Sequence, residues 1–138
     1  MDPAEGTRLS SLAVTVEAGL CAEVELTVTD RDTALAMRSG DVSVLATPRV
    51  VALCEQASCA ALVGRLEPGE TSVGTRVELS HLAPIAVGST VRATAILEKS
   101  EGRRLIFNVT VTDPSGLVAA GKVTRVVVNE DEFLAKRR

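Results

Sequence analysis

Residues 47–66 read TPRVVALCEQASCAALVGRL and carry the clearest helical pattern in the chain. Thr47 is a good N-cap residue, and Pro48 follows at the first helical position, where its missing N–H costs nothing. The pattern continues to about Leu66 and stops before Pro68. Small residues dominate the run. We therefore expect one long helix that can approach a sheet closely.

Strands are predicted on both sides of this helix by alternating apolar residues. They cover residues 21–28, 73–82, 89–99, 103–112 and 117–128. The positions predicted to face inward are Val24, Leu26, Val28, Val77, Leu79, His81, Val91, Ala93, Ala95, Leu97, Leu105, Phe107, Val109 and Val111. Ser100-Glu101-Gly102 and Asp113-Pro114-Ser115-Gly116 have the composition of tight turns between the last strands.

The order of these elements predicts an α+β fold, with the long helix packed on an antiparallel meander. Residues 12–16 form a first extended run, and residues 30–38 favour a short helix. The length of 138 residues fits a single domain, 1–138, with a loose end at 1–8 and a C-terminal tail at 131–138. One helix leaves part of the sheet uncovered, which favours a dimer.

Composition excludes several classes of protein. The net charge of −3 and the absence of a basic stripe argue against nucleic-acid binding. No apolar run approaches the ~20 residues of a membrane span, and the acidic start lacks the features of a secretory signal. Three cysteines without metal-ligand spacing predict a cytoplasmic protein with reduced, mostly buried thiols and no zinc site. Two phenylalanines are the chain's aromatic residues, so the core must be aliphatic.

Three polar residues stand out from this apolar background: Thr47, Glu55 and His81. Each also has a purely structural interpretation. Thr47 could be an N-cap, Glu55 a solvent-facing helix residue, and His81 a core histidine whose ring nitrogens are hydrogen-bonded. Thr47 and Glu55 nevertheless lie in one i, i+4, i+8 row, about 12 Å apart along the helix axis. The single histidine falls on the apolar face of its strand. A hydroxyl, a carboxylate and an imidazole are the groups that acid–base or nucleophilic catalysis requires.

The runs VLATPRVVALCE (44–55), LEPGETSVGT (66–75) and EGRRL (101–105), together with Ser80-His81, resemble one known family. This is the fluoroacetyl-CoA thioesterase branch of the hotdog-fold acyl-CoA thioesterases, and the likeness spans roughly residues 10–136. The resemblance implies a long central helix wrapped by a curved antiparallel sheet of about five to six strands. It also implies a homodimer, possibly assembled further, with two sites at its interface and no metal or bound cofactor.

By the same resemblance, the chain hydrolyses an acyl-CoA thioester to a free acid and coenzyme A. Thr47, Glu55 and His81 match the catalytic residues, while Gly74 and Arg125 match residues near the acyl group. Glu55 would activate water or attack the carbonyl directly, His81 would move the proton, and Thr47 would orient the carbonyl. The helix residues and His81 are expected to come from different subunits.

The segment before Thr47 departs from the family pattern. The fluoroacetyl enzymes carry a phenylalanine lid there, whereas residues 34–45 contain no aromatic residue. We therefore expect a different small or medium acyl group. Two alternatives remain open, a non-catalytic acyl-CoA-binding hotdog protein and a hotdog hydratase, and an assay of thiol release or of an enoyl-CoA separates them.

Overall fold

The computed structural model describes residues 16–137. The predicted loose end at 1–8 and residues 12–15 of the predicted first extended run lie outside the described residues. The elements are β1 (Cys21–Thr27), a 3-10 turn (Asp30–Asp32), α1 (Ala34–Met37), α2 (Thr47–Ala61), β2 (Glu70–His81), β3 (Thr90–Glu101), β4 (Arg104–Asp113), β5 (Gly116–Asn129) and α3 (Glu130–Ala135).

The strands of the described region form one antiparallel sheet in the order β1-β3-β4-β5-β2. The predicted α+β class is confirmed, and β3, β4 and β5 form the expected meander. β2 pairs with β5 rather than with β3, its neighbour in sequence. Alternation of apolar residues determines which face of a strand is buried, but it does not determine which strand lies beside it. β1 and β2 are therefore the edges of the sheet.

The core lies between α2 and the inward face of the sheet. Of the positions predicted to face inward, those on β3 and β4 are buried, and Val24, Leu26, Val77 and Leu79 are partly buried against the core. α2 contributes Val50, Leu53, Cys54, Ala57, Ser58 and Ala61. Ser58 is fully buried, and its hydroxyl donates to the carbonyl of Cys54 within the helix.

Several predicted boundaries are wrong. α2 ends at Ala61 rather than near Leu66, and residues 62–66 form turns. The short helix predicted at residues 30–38 is divided into the 3-10 turn and α1, because the hydroxyl of Thr33 caps a new helix by accepting from Ala36. The predicted C-terminal tail begins inside α3, which is capped by Asn129.

The cysteines are more exposed than predicted. Cys54 is buried, but Cys21 and Cys59 are exposed, and all three are free thiols. No helix within residues 16–137 is both long enough and apolar enough to cross a membrane.

Candidate active site

α2 and the edge strand β2 lie side by side and run in opposite directions. The start of α2 meets the end of β2 through Thr47 and His81. The middle of α2 meets the middle of β2 through Glu55 and Gly74. The residues predicted from the sequence to form a site therefore lie along the line of contact between α2 and β2, which we call the furrow: Thr47, Glu55, Gly74, His81 and, reaching in from β5, Arg125.

Thr47 and His81 form the first pair. The Oγ1 atom of Thr47 lies 2.8 Å from Nδ1 of His81, and the imidazole tautomer determines which atom donates. Nε2 of His81 is buried and finds no hydrogen-bond partner within the described residues. An unpaired buried nitrogen is unusual in a folded protein. His81 is thus held through one ring nitrogen, while the other makes no hydrogen bond within the described residues.

Thr47 is not the N-cap that the sequence predicted. Ala46 occupies the N-cap position, Thr47 is the first helical residue, and no side chain caps the first turn. The hydroxyl of Thr47 is directed to His81 instead. Pro48 has no N–H, and the N–H groups of Arg49 and Val50 donate to the carbonyl of Ala46. The helix start therefore acts on a ligand mainly through its dipole, whose positive end stabilises negative charge.

Glu55 and Arg125 form the second pair. Nη1 of Arg125 lies 3.3 Å from Oε2 of Glu55. Arg125 is only 6% exposed, and Ser72 holds its guanidinium with two acceptors, Oγ at 2.8 Å from Nε and the backbone carbonyl at 3.0 Å from Nη2. A buried arginine requires such partners because an unpaired buried charge is costly. The position of Arg125 is fixed by Ser72, and Arg125 in turn positions Glu55.

Gly74 makes this arrangement sterically possible. A Cβ atom at Gly74 would lie 2.4 Å from Oε2 of Glu55 and 3.3 Å from Nη1 of Arg125. The β2–β5 register shifts between Gly74 and Arg76, which marks a bulge at Thr75. Strict alternation would place Gly74 on the outer face with Arg76, but the bulge returns it to the face of the helix.

Ser72 was not predicted as a site residue. It lies two positions before Gly74 on the same face of β2, and without the bulge this face would be the outer one. A hydroxyl on a strand carries no sequence signal of its own. The contact with Arg125 on the neighbouring strand could be found only from the tertiary structure.

Two further residues next to these pairs have shifted pKa values. Burial, with a smaller contribution from the adjacent Glu55, raises the pKa of the Cys54 thiol to about 11. The carboxylate of Asp32 accepts from Thr29 and from Nε of Arg49 at 3.0 Å. Burial alone would raise the pKa of Asp32, but these hydrogen bonds and the charge of Arg49 outweigh it and lower the pKa. Asp32 thus ties the segment before α2 to the first turn of that helix.

The two pairs lie apart within one chain. Thr47 and Glu55 are separated by about 12 Å along α2, and Gly74 and His81 by roughly 20 Å along β2. Thr47 and His81 of the same chain are hydrogen-bonded, and the expectation that helix residues and His81 of one site come from different subunits stays a prediction. Within residues 16–137 no three His, Cys, Asp or Glu side chains are grouped so that they could hold a metal ion.

Comparison with known proteins shows the family of the chain. Residues 28–131 match the family described as fluoroacetyl-CoA-specific thioesterase. The chain belongs to this family. A fluoroacetyl-CoA thioesterase from Streptantibioticus cattleyicolor is 40% identical over 95 residues, which are 69% of this chain and 68% of the relative. The acyl-CoA thioesterase activity inferred from the resemblance is thereby supported at the level of the family.

Solved structures give the same result for the fold. A crystal structure of the fluoroacetyl-CoA thioesterase FlK superposes with a TM-score of 0.83 at 31% identity, covering 88% of this chain and 94% of that one. A hot-dog-like protein from Thermanaerovibrio acidaminovorans has a TM-score of 0.83 at 29% identity, covering 89% of this chain and 91% of that protein. The predicted hotdog architecture of this thioesterase, with its central helix and curled antiparallel sheet, is confirmed.

Proposed function

We propose that this thioesterase hydrolyses a small or medium acyl-CoA to a free acid and coenzyme A, with Thr47, Glu55 and His81 as catalytic residues. The observation that carries the proposal is the Thr47–His81 pair at an uncapped helix start, with Nε2 of His81 buried and unpaired. Gly74 and Arg125 line the acyl side of the site. The relatives support the choice of substrate, since FlK variants have been crystallised with acetyl-CoA and with fluoroacetate and CoA.

The chemistry follows from the positions of these groups. The carbonyl oxygen of the thioester would lie at the start of α2, where the positive end of the helix dipole and the hydroxyl of Thr47 stabilise the developing oxyanion. Glu55 either removes a proton from the attacking water or attacks the carbonyl carbon to form an anhydride that water then cleaves. In both routes the C–S bond breaks, and His81 gives a proton to the leaving thiolate.

The distances favour a site shared between two subunits. Within one chain Glu55 lies about 12 Å along α2 from Thr47, the residue bonded to His81, and this backbone spacing is long for one thioester carbonyl to meet both Glu55 and His81. Among the described strands β2 lies at the edge of the sheet with one side unpaired, and such edges pair readily with a second copy. Antiparallel pairing of two β2 strands would bring His81 of one chain towards Glu55 of the other. We therefore propose a homodimer in which each site takes the Thr47–His81 pair from one chain and the Glu55–Arg125 pair from its partner.

A cytoplasmic location fits the cysteines. Cys21 and Cys59 are exposed free thiols, and exposed thiols persist in compartments that keep them reduced.

Release of free thiol from acetyl-CoA and butyryl-CoA tests the activity directly. We expect turnover by the wild type and a loss of about 10²- to 10⁴-fold in Glu55→Gln, because the proton acceptor or nucleophile is removed. Exposed Gln56→Glu beside it serves as a control that changes the charge of α2 outside the furrow and should retain activity. Binding of acyl-CoA without thiol release would favour the non-catalytic alternative, and hydration of an enoyl-CoA would favour the hydratase.

Mixed dimers test the shared site. His81→Ala and Glu55→Gln chains are each inactive alone in the proposal, but a dimer of one of each contains one intact site. Mixing them should restore thiol release well above either parent. If each site lies within one chain, the mixture will be as inactive as its components.

A further inference from the structure

The segment before Thr47 is fastened to the chain that follows His81. The N–H of Leu45 donates to the carbonyl of Ile85 at 2.8 Å. Ile85 comes four residues after His81, the last residue of β2. Leu45 and Ile85 are both buried in the core, so this backbone contact is shielded from water. It holds the start of α2 close to the end of β2, where Thr47 and His81 meet.

Asp32 holds the same segment at two further points. Its backbone carbonyl accepts from the N–H of Ala46 at 2.8 Å, and its Oδ1 accepts from Nε of Arg49 at 3.0 Å. Ala46 is the residue before Thr47, and Arg49 lies two residues after it. No side chain among the described residues caps the first turn of α2. The two contacts of Asp32 therefore bracket Thr47 and fasten a helix start that lacks a cap of its own.

The carboxylate of Asp32 is itself fixed in place. Its Oδ2 accepts from the backbone N–H of Thr29 at 2.8 Å and from the hydroxyl of Thr29 at 3.0 Å. Both carboxylate oxygens are thus hydrogen-bonded, as a buried charge requires. Asp32 is buried and Arg49 is partly buried, so the pair is not a mobile surface contact. Thr29, Asp32 and Arg49 form a chain of side chains that ends in the first turn of α2.

We propose that Asp32 is a positioning residue, which holds the start of α2 so that the hydroxyl of Thr47 meets His81. The assignment rests on the proposed thioesterase function and adds to it a residue that acts through Thr47 without touching the substrate. Oγ1 of Thr47 lies 2.8 Å from Nδ1 of His81, and a hydrogen bond weakens steeply as its geometry is lost. A displacement of about 1 Å in a site can lower turnover by about 10²-fold. A loosened helix start should shift Thr47 by less, so we expect a loss of about tenfold.

Thiol release from acetyl-CoA measures this effect. Asp32→Ala removes both carboxylate oxygens and should lower kcat by about tenfold while KM changes by less than about twofold, because the role is in the chemical step. Asp32→Asn keeps an oxygen that can accept from Nε of Arg49 and should lose less. If Asp32→Ala does not fold, Asp32→Asn carries the same tests. A wild-type kcat in both variants overturns the assignment.

Glu70→Gln is the matched control. Glu70 is also a carboxylate with little exposed surface that pairs with an arginine, Arg103. It begins β2, whereas His81 ends it, so the two are roughly 35 Å apart along the strand. We expect Glu70→Gln to lower the melting temperature about as much as Asp32→Asn and to leave kcat unchanged. An equal loss of kcat in Glu70→Gln and Asp32→Asn would indicate general destabilisation and contradict the assignment.

A double substitution shows whether Asp32 acts through Thr47. In the Thr47→Ala background the hydroxyl that Asp32 positions is already absent. Adding Asp32→Ala should therefore cause little further loss of kcat, since two residues in one network do not contribute independently. If the two losses multiply instead, Asp32 acts independently of Thr47 and the assignment is wrong.

The imidazole of His81 reports on the same contact without any substrate. His81 is the single histidine of the sequence, so the untagged chain gives one set of imidazole ¹⁵N signals. Thr47→Ala should shift the Nδ1 signal, Asp32→Ala should shift it in the same direction, and Glu70→Gln should leave it in place. An Nδ1 signal that Asp32→Ala leaves unchanged overturns the assignment. If the shifts appear but no acyl-CoA releases thiol, the proposed function fails while the positioning of Thr47 by Asp32 stands.

Discussion

The two polar pairs of the furrow lie two turns apart on α2, and they are held in different ways. Thr47 and His81 share one hydrogen bond, and the second nitrogen of His81 is left without a partner among the described residues. Arg125 is buried and has three contacts, two to Ser72 and one to Glu55. The first pair leaves one ring nitrogen of His81 without a hydrogen bond within residues 16–137, as proton transfer to a substrate requires. In the second pair, Ser72 fixes the position of Arg125, and Arg125 fixes that of Glu55. In the proposed site the first pair supplies the proton donor, and in the second pair Arg125 holds the reacting carboxylate of Glu55 in place.

The largest effect is expected from removing the imidazole of the first pair. His81→Ala should lower kcat for an acyl-CoA by about 10²- to 10⁴-fold, because no other group then protonates the leaving thiolate. The melting temperature should change little, since His81 makes one side-chain hydrogen bond. Thiol release and thermal unfolding measure the two quantities. If His81→Ala retains the wild-type kcat, His81 takes no part in the reaction.

The second pair can be disturbed without removing either of its charges. Gly74→Ala introduces a Cβ that overlaps Oε2 of Glu55, so the carboxylate must move. Because a displacement of about 1 Å can reduce turnover by about 10²-fold, we expect a loss of that order in kcat/KM with nearly unchanged stability. The displaced atom is the end of a flexible side chain, which can shift at low cost to the fold.

Gly121→Ala is the matched control for that substitution. Its Cβ would lie 1.9 Å from the backbone carbonyl oxygen of Glu78 on the neighbouring strand. A backbone atom within a sheet cannot move aside, so this variant should lose stability rather than activity alone. If Gly74→Ala also unfolds and Gly121→Ala does not, the assignment of Gly74 to the site is wrong.

A smaller effect is expected at Ser72, which acts through Arg125. Ser72→Ala removes the Oγ acceptor but leaves the backbone carbonyl, so Arg125 keeps part of its anchor. The loss of one hydrogen bond to a charged group, about 1.5 kcal/mol, corresponds to roughly a tenfold fall in kcat/KM for acetyl-CoA. Ser72→Thr retains the hydroxyl and should restore activity. If Ser72→Ala and Ser72→Thr are equally active, the hydroxyl of Ser72 does not position Arg125 for the reaction, and its role is only structural.

The smallest effect concerns stability at the start of α2. Asp32→Asn should lower the free energy of unfolding at neutral pH by about 1 kcal/mol, because Arg49 loses its ionic partner although the amide oxygen still accepts its hydrogen bond. The pKa of Asp32 is lowered in the folded state. Its stabilisation is therefore complete above the unfolded pKa of about 3.9 and is lost as the pH falls through the lower folded value. Urea unfolding at pH 7 and pH 3 should show a smaller difference between the wild type and the variant at pH 3.

Much of the fold and part of the site could be predicted from local pattern. Alternation gave the buried faces of β1, β3 and β4, and the run at residues 47–66 gave the long helix, although its end was placed too late. The motifs also singled out Thr47, Glu55, Gly74, His81 and Arg125, and all five lie along the furrow. Ser72 escaped prediction because a one-residue bulge at Thr75 reverses which face of β2 is inward before that point. The alternation of apolar and polar residues gives no sign of such an inserted residue.

The amino-acid sequence by itself determined the long helix, the five strands, most of their buried faces and the family, because these depend on the spacing of apolar residues and on short motifs. Only the tertiary structure decided that β2 lies beside β5, that Thr47 bonds His81 instead of capping its own helix, and that Ser72 holds Arg125. Each of these contacts joins residues distant in sequence, and their geometry depends on strand order, the bulge and the path of α2. Which residues can carry out the chemistry can be read from the local sequence, whereas which residues they contact depends on how the chain packs.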